Sequence, residues 1–356
     1  MATEKWPYDH CDKIVSICES ATLADGIPRA LARALRVCAA QSPVLTARAE
    51  AALEVLLQSV LVSRWPEVSW QFSRLTANGF PVEFVFSSTD DAIRYTTEIA
   101  GPEFAECDRL DLAERALSRL GAGRLPGNVR TLFTEIQRCG VLRYGVWIGA
   151  RHSLSGDRYK IYLEVPGNSE VADRFVGRLI GSEPLAPGHQ TTLQMIGFEP
   201  KSATVELYFQ CKWLEPWEAG LLLRRAGLDG RQEEMLDLVE HARHGLRRLH
   251  FPGPDTGFSF SITPGVEQRV FSLIHHAGTL FGGDASIRKH TLSLAAMYGW
   301  QLGCYQVLSE PLAIEHRWIT HHTMATFSVA TNRPAAFHIG LRPPDPADFT
   351  CEQREN

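Results

Sequence analysis

Apolar and polar residues alternate one by one over "RYKIYLEVPG" (residues 158–167). Arg158, Lys160, Tyr162 and Glu164 fall on one side, and Tyr159, Ile161, Leu163 and Val165 on the other. A period of two is the pattern of a β-strand with one apolar face. It returns in "FPVEFVFSS" (80–88), "IRYTTEIAG" (93–101), "LRYGVWIGARH" (142–152), "TLQMIGFEP" (192–200) and "TVELYFQCK" (204–212). It returns again in "GFSFSITP" (257–264), "EQRVFSLIHHA" (267–277), "TMATFSVA" (323–330) and "AFHIGLRP" (336–343). Helical spacing takes over elsewhere: "IPRALARALRVCAA" (27–40), where Pro28 suits a first turn, and "LTARAEAALEVLLQSVLVSRW" (45–65) precede the strands. Further helices are predicted over 110–121, 128–140, 169–181, 216–227 and 231–249, and in the sequence leading to Leu312.

Strands that come in pairs joined by short polar links read as hairpins, which makes their neighbours antiparallel. A sheet of about ten such strands has to curl or close, and closure removes its edges. The predicted fold is therefore α+β: a ten-stranded antiparallel β-barrel surrounded by helices, in repeats of helix, two strands and helix. A single domain is expected over 1–356, with a helical N-terminal part over 1–70 packed on the barrel. If helices cover the outside, the apolar strand faces lie under them and the polar faces line the lumen. The alternative is a half-exposed sheet with its polar faces in water.

Composition narrows the partners. The chain has 356 residues, 44% of them hydrophobic, and a net charge of -5. That balance excludes a general nucleic-acid binder, and no long basic run offers a membrane-surface patch. Eight cysteines without a CxxC pair read as reduced thiols. With no apolar leader and no span-length hydrophobic run, the expected residence is cytoplasmic.

A lumen holding Arg94, Arg158, Lys160, Lys212 and Arg269 is costly unless those charges are partnered. Glu98, Glu164, Glu206 and Glu267 could supply the partners from within. The other possibility is an anionic ligand, and a diphosphate suits arginine and lysine donors.

Three segments carry a resemblance. "SRLTANGFPVEFVFSSTDDAIRYTTEIAGP" resembles the stretch of the dimethylallyltryptophan synthase family in which a glutamate is followed by an R-Y/F-(S/T)-x-E strand. "GVWIGARH…DRYKIYLEVPG" is similar to that family's K-x-Y strand, and "VEQRVFSLIHHAG…GGD" to its K-x-Y-x-P-x-R-H segment. The likeness runs from about Ser73 to Pro343, and the repeats agree with the prenyltransferase barrel of that superfamily. It implies transfer of a prenyl group from an allylic diphosphate, dimethylallyl diphosphate first, to the indole of tryptophan or of an indole-containing natural product. Glu83 would then accept the acceptor's N–H hydrogen bond. Arg94, Lys160, Tyr162, Tyr208 and Arg269 would bind the diphosphate.

The chemistry is coherent without the resemblance, because ionising an allylic diphosphate needs donors for the leaving group and π-faces for the carbocation. Trp147, Tyr162 and Tyr208 are the inward-pointing candidates for the second task. Some positions depart from the family. Glu206 stands where a lysine is often found, and would orient Lys160 or a neighbouring arginine. Phe271 and Met324 replace tyrosines and would line the substrate and cation without a hydroxyl, which leaves donor length open between dimethylallyl and geranyl. No lysine occurs between residues 143 and 152 to take the ring proton.

No metal is expected. The pairs His275/His276 and His321/His322 and the spacing of His241 and His244 lack a cysteine or carboxylate cluster at ligand spacing. "STDDAIR" is not a DDxxD-like magnesium motif, so magnesium is not expected to be essential and no cofactor is required. "LFGGD" is too short for a phosphate loop and marks a helix boundary. The partners expected are a small aromatic acceptor and the allylic diphosphate, with no nucleic acid or membrane, in a monomer or homodimer. A phenol or naphthol prenyltransferase, or a non-catalytic binder of an anionic hydrophobic ligand, are the competing readings.

Overall fold

Each alternating segment forms a strand, and consecutive strands pair antiparallel: β1 (Val82–Ser87), β2 (Ile93–Glu98), β3 (Val146–Ser153), β4 (Gly156–Glu164), β5 (Thr191–Glu199), β6 (Thr204–Lys212), β7 (Asp255–Ile262), β8 (Arg269–His276), β9 (His322–Ala330) and β10 (Arg333–Leu341). β10 also pairs with β1, so the ten strands close into a barrel with no free edge. This computed structural model describes residues 27–60, 73–76, 79–243, 251, 253–267, 269–314 and 320–345.

The helices are α1 (Arg29–Gln41), α2 (Pro43–Leu56), α3 (Arg109–Arg119), α4 (Gly127–Gln137), α5 (Glu170–Ile180), α6 (Glu218–Arg225), α7 (Gln232–Ala242), α8 (Ala277–Phe281), α9 (Asp284–Tyr298) and α10 (Tyr305–Leu308). α1 buries Leu31, Ala34, Leu35 and Cys38, one stripe at helical spacing, and α2 lies against β2 and β3. α5 starts where the Ser169 hydroxyl accepts the N–H of Ala172 at 3.2 Å, and stops at Gly181, whose φ of +84° a side chain would disfavour. The predicted helix over 45–65 ends earlier, at Leu56; its last residues, 61–65, lie outside the described residues, as do 1–26, 66–70 and 244–249.

The two faces of the barrel differ as the pattern predicts. Val82, Phe84, Ile148, Ile161, Leu163, Leu207, Phe258 and Phe327 point out under the helices and are buried. Glu83, Thr96, Trp147, Lys160, Tyr162, Glu206, Tyr208 and Thr326 point into the lumen, where each keeps partial exposure. The wet face is thus the inside. Burial of each outer-face ring contributes about 2–3 kcal/mol, which holds sheet and helices together.

The ladder corrects two expectations. On β8, Phe271 pairs with Phe260 and Arg269 with Ile262, both outward-facing, so Phe271 and Arg269 lie on the outer face. Phe271 packs fully buried between Phe258 and Phe260. Val270, Ser272 and Ile274 are the lumen residues of this strand, paired with Ser261, Ser259 and Gly257.

Two irregularities shape the lumen. Between the pairs Ile339/Ala325 and Leu341/His322, β9 carries one residue more than β10. This β-bulge turns both Thr323 and Met324 inward. A second bulge, in β5 between Leu193 and Met195, turns Gln194 toward Gln210 across the β5–β6 ladder, at 3.3 Å.

Candidate active site

Strand pairing puts the candidate groups on successive rungs of the barrel wall. One rung runs Glu83, Thr96, Gly149, Lys160 across β1 to β4. The next, nearer the hairpin end, runs Arg94, Arg151, Arg158 across β2 to β4. On the other side of Lys160, Tyr162 opens a rung through Gly197, Glu206 and Ser261.

Glu83 is held by the β9 bulge. The Thr323 hydroxyl donates to its Oε1, while Gly340 on β10 leaves the carboxylate its space. A Cβ on Gly340 would overlap both the Glu83 carboxylate and the Thr323 hydroxyl. Burial in the lumen pushes the Glu83 carboxyl up to about 7, against the opposing pull of the Thr323 hydrogen bond. The group is therefore poised to exist in either protonation state near neutrality, as an acid–base residue must.

The cations come already partnered. Asp90 accepts from both Arg94 (2.7 Å) and Arg151 (2.8 Å), and its carboxyl sits well below the usual range despite burial because of Arg94, then the Ala92 N–H, then Arg151. Arg158 makes a two-pronged bond with Glu199, one prong at 2.6 Å. Lys160 Nζ lies 2.6 Å from Glu206, which also accepts the Tyr208 hydroxyl. Burial alone would lower the Lys160 pKa and raise that of Glu206, but their mutual attraction reverses both shifts and keeps the pair ionised. Sequence expectation left Glu206 to orient either Lys160 or an arginine; its partner is Lys160.

Tyr162 and Tyr208 meet edge to face, with ring centroids 5.8 Å apart, and the Lys160 ammonium lies 5.6 Å from the Tyr162 ring centre. Small residues make room for the rings. A Cβ on Gly149 would come within 2.7 Å of the Tyr162 ring, and one on Gly197 within 3.1 Å of Lys160 Cδ and 3.4 Å of the Tyr208 ring. Burial raises both phenols, so each hydroxyl stays protonated and able to donate. Toward the helix end, Trp147 stacks on Tyr144 at 3.6 Å, and Arg109 sits over the far aromatic system, 4.8 Å from the Tyr144 ring.

The other two lumen-face carboxylates tie loops down. Glu164 accepts the backbone N–H groups of Arg143, Tyr144 and Gly145 at 2.7–3.1 Å. Glu98 accepts from the Ser73 hydroxyl and the Arg74 N–H, both at 2.8 Å. They fix the segments flanking the lumen instead of offering charge to it.

The structure thus brings Glu83, Arg94, Lys160, Tyr162, Tyr208, Trp147 and Met324 into one lumen, and leaves Arg269 and Phe271 outside it. Sequence reasoning missed Thr323 and His338. His338 was detectable, since it stands opposite Phe337 and Ile339 in an alternating strand. Its Nε2 pairs with the Ser328 hydroxyl at 2.9 Å, and burial, followed by the nearby Arg94 charge, pushes it down to about 4. Thr323 was not detectable, because only the bulge turns it inward.

Asp284 was also missed, although "LFGGD" does mark a helix start, that of α9. Its buried carboxylate accepts the backbone N–H and Nδ1–H of His321 (2.9 and 3.1 Å) and the same two groups of His322 (3.1 and 2.6 Å). Tyr305 donates to the remaining His322 nitrogen at 2.8 Å. This clamp anchors the start of β9, one residue before Thr323. The histidine pair is accordingly a carboxylate clamp. Among the described residues, no group of three or more His, Cys, Asp and Glu side chains gathers as metal ligands would. No described helix is long and apolar enough to cross a membrane.

Strand pairs separated by helices, closed into a ring around a polar lumen, define the prenyltransferase barrel. In that fold the chain is similar to a solved 6-dimethylallyl tryptophan synthase, with a TM-score of 0.66 and 18% identity over 92% of this chain and all of the other. It is likewise similar to 6-dimethylallyltryptophan synthase from Micromonospora olivasterospora, solved in complex with DMASPP and Trp (TM-score 0.68, 17% identity, 88% of this chain and 96% of that one). 5-Dimethylallyl tryptophan synthase from Streptomyces coelicolor, also solved with DMASPP and Trp, matches at TM-score 0.69 and 16% identity, over 89% and 94%. At these identities the likeness is one of fold. No protein-family model matches the sequence, and no curated protein matches it by sequence.

Proposed function

We propose that the protein is an aromatic prenyltransferase that moves a dimethylallyl group from its diphosphate to the indole ring of tryptophan or of a tryptophan-derived compound. The observation that carries this reading is the convergence, in one closed lumen of this fold, of Glu83 with Lys160, Arg94 and the edge-to-face pair Tyr162 and Tyr208. Solved structures of the same fold bind DMASPP and Trp, which supports both the donor and the acceptor class.

In this reading Arg94, Lys160 and the two tyrosine hydroxyls hold the diphosphate. The allylic C–O bond breaks, its electron pair leaves with the diphosphate, and the developing cation rests against the faces of Tyr162 and Tyr208. Glu83 accepts the acceptor's N–H, which raises electron density on the ring. A ring carbon then forms the new C–C bond, and its proton passes to the released diphosphate, which restores aromaticity. Met324 and Trp147 supply apolar wall, and the ring of strands keeps water from the cation. The groups proposed for the diphosphate are protein cations and phenols, and the reading assigns no step to a metal.

The test is incubation of the protein with tryptophan, other indoles and dihydroxynaphthalenes, each with dimethylallyl or geranyl diphosphate, followed by mass analysis. An indole product 68 mass units heavier, about the mass of one added C5H8 unit, is the expected result. Products from naphthols alone would move the acceptor class, and no product with any pair would overturn the enzymatic reading.

A further inference from the structure

Glu206 gathers the very donors that the reading above gives to the diphosphate. Its carboxylate takes Lys160 Nζ at 2.6 Å and the Tyr208 hydroxyl, and lies within reach of the Ser261 hydroxyl. A phosphate oxygen seeking the same lysine and phenol meets a carboxylate already bound there, and like charges at that separation repel. We propose that Glu206 is an intramolecular competitor of the allylic diphosphate, bound to Lys160 and Tyr208 as in this structure and displaced when the donor binds. The inference rests on the diphosphate reading of this lumen.

The ion pairs on the rungs around Lys160 agree. Four cations (Arg94, Arg151, Arg158, Lys160) face three acids (Asp90, Glu199, Glu206), each of which is ion-paired to at least one of them. Of the three acids, Asp90 bridges two arginines, and Glu199 is 4% exposed and held at two points by Arg158. Among the described residues Glu206 has a single ion pair, to a flexible lysine, and its rung neighbours are Gly197 and Ser261. It is the acid held by one flexible cation and otherwise by neutral hydroxyls. Its departure frees an ammonium and a phenol at once, so donor specificity is set by how well a ligand repays that exchange.

Glu206→Gln keeps the shape and removes the charge. Titration calorimetry with inorganic diphosphate should give a dissociation constant about ten-fold lower for this variant than for the unmodified protein. KM for dimethylallyl diphosphate should fall in parallel. In a Lys160→Met background the gain from Glu206→Gln should shrink, because the contested group has gone; a merely structural role would leave the gain unchanged. Thermal melts establish that all variants are folded. If the unmodified protein prenylates an indole yet Glu206→Gln binds diphosphate no more tightly, the competitor role is wrong and the enzymatic reading stands. If neither protein binds inorganic diphosphate and neither transfers a prenyl group, both fail.

Discussion

Thr323 donates its hydroxyl hydrogen bond to Glu83, joining β9 to β1 across β10 and over 240 positions of sequence. The bond favours the charged carboxylate, whereas burial favours the neutral acid. Removing it in Thr323→Val should therefore raise the Glu83 pKa above its value of about 7. The acidic limb of the pH–rate profile should move alkaline by about 1 pH unit, given about 1.5 kcal/mol for a hydrogen bond to a charged group. Rates at pH 9 should change little. An unmoved limb would detach Thr323 from the acid–base group.

Glu83→Gln should lower turnover by at least about 100-fold, the usual size of a lost acid–base contribution, while inorganic diphosphate still binds. The glutamine can accept a hydrogen bond from an indole N–H but carries no charge to enrich the ring. Near-normal rates in this variant would remove Glu83 from the chemistry.

Gly340→Ala would seat a methyl group where the Glu83 carboxylate and the Thr323 hydroxyl now meet. The lumen side of this position can give way by turning Glu83 aside, so the fold should survive with a melting temperature within a few degrees while activity collapses. Circular dichroism melts and the product assay separate the two effects. A fully active Gly340→Ala protein would show that Glu83 does not need its observed position.

How much of this lumen can be read from sequence depends on how clean the alternation is. From Arg158 on, β4 keeps its charged residues on one face and Tyr159, Ile161 and Leu163 on the other, so its faces, and with them Lys160 and Tyr162, are legible. β8 carries Val270 and Ile274 on one face and Phe271 and Leu273 on the other, so hydrophobicity cannot say which is inside, and a one-residue slip exchanges them. The pairing with Phe260 decides it. Bulges are hidden for a related reason: an extra residue in β9 has no local signature, and Thr323 looks like an outward residue until its partner strand is known. Ion pairs such as Lys160 with Glu206 were legible as charge needing a partner, but the choice of partner required the rung.

His275 gives a pH dependence of stability. It lies on the outer face between Phe251 and Phe327, 2% exposed, and neither ring nitrogen has a hydrogen-bond partner among the described residues. Burial, then the nearby Arg243 charge, pushes it down to about 3, from 6.5 in a free side chain. Above pH 6.5 the ring is neutral in both states and contributes no pH dependence. Between pH 6.5 and 3 only the unfolded chain takes the proton, so stability falls by up to about 1.4 kcal/mol per pH unit. Urea unfolding at pH 7, 6 and 5 should therefore show a shallower loss for His275→Leu than for the unmodified protein. Equal slopes would mean that His275 is not buried neutral.

The joining of β10 to β1 also fixes when the lumen is complete. During synthesis the first strands emerge long before the last, and under the proposed function an allylic cation formed in an open sheet would be quenched by water or would alkylate whatever lay nearby. Glu83 is made early, but Thr323 and Gly340, which seat it, arrive only with the final two strands. A chain still on the ribosome holds its cations and phenols on an unfinished wall, and the closed lumen comes into being in the step that joins β10 to β1.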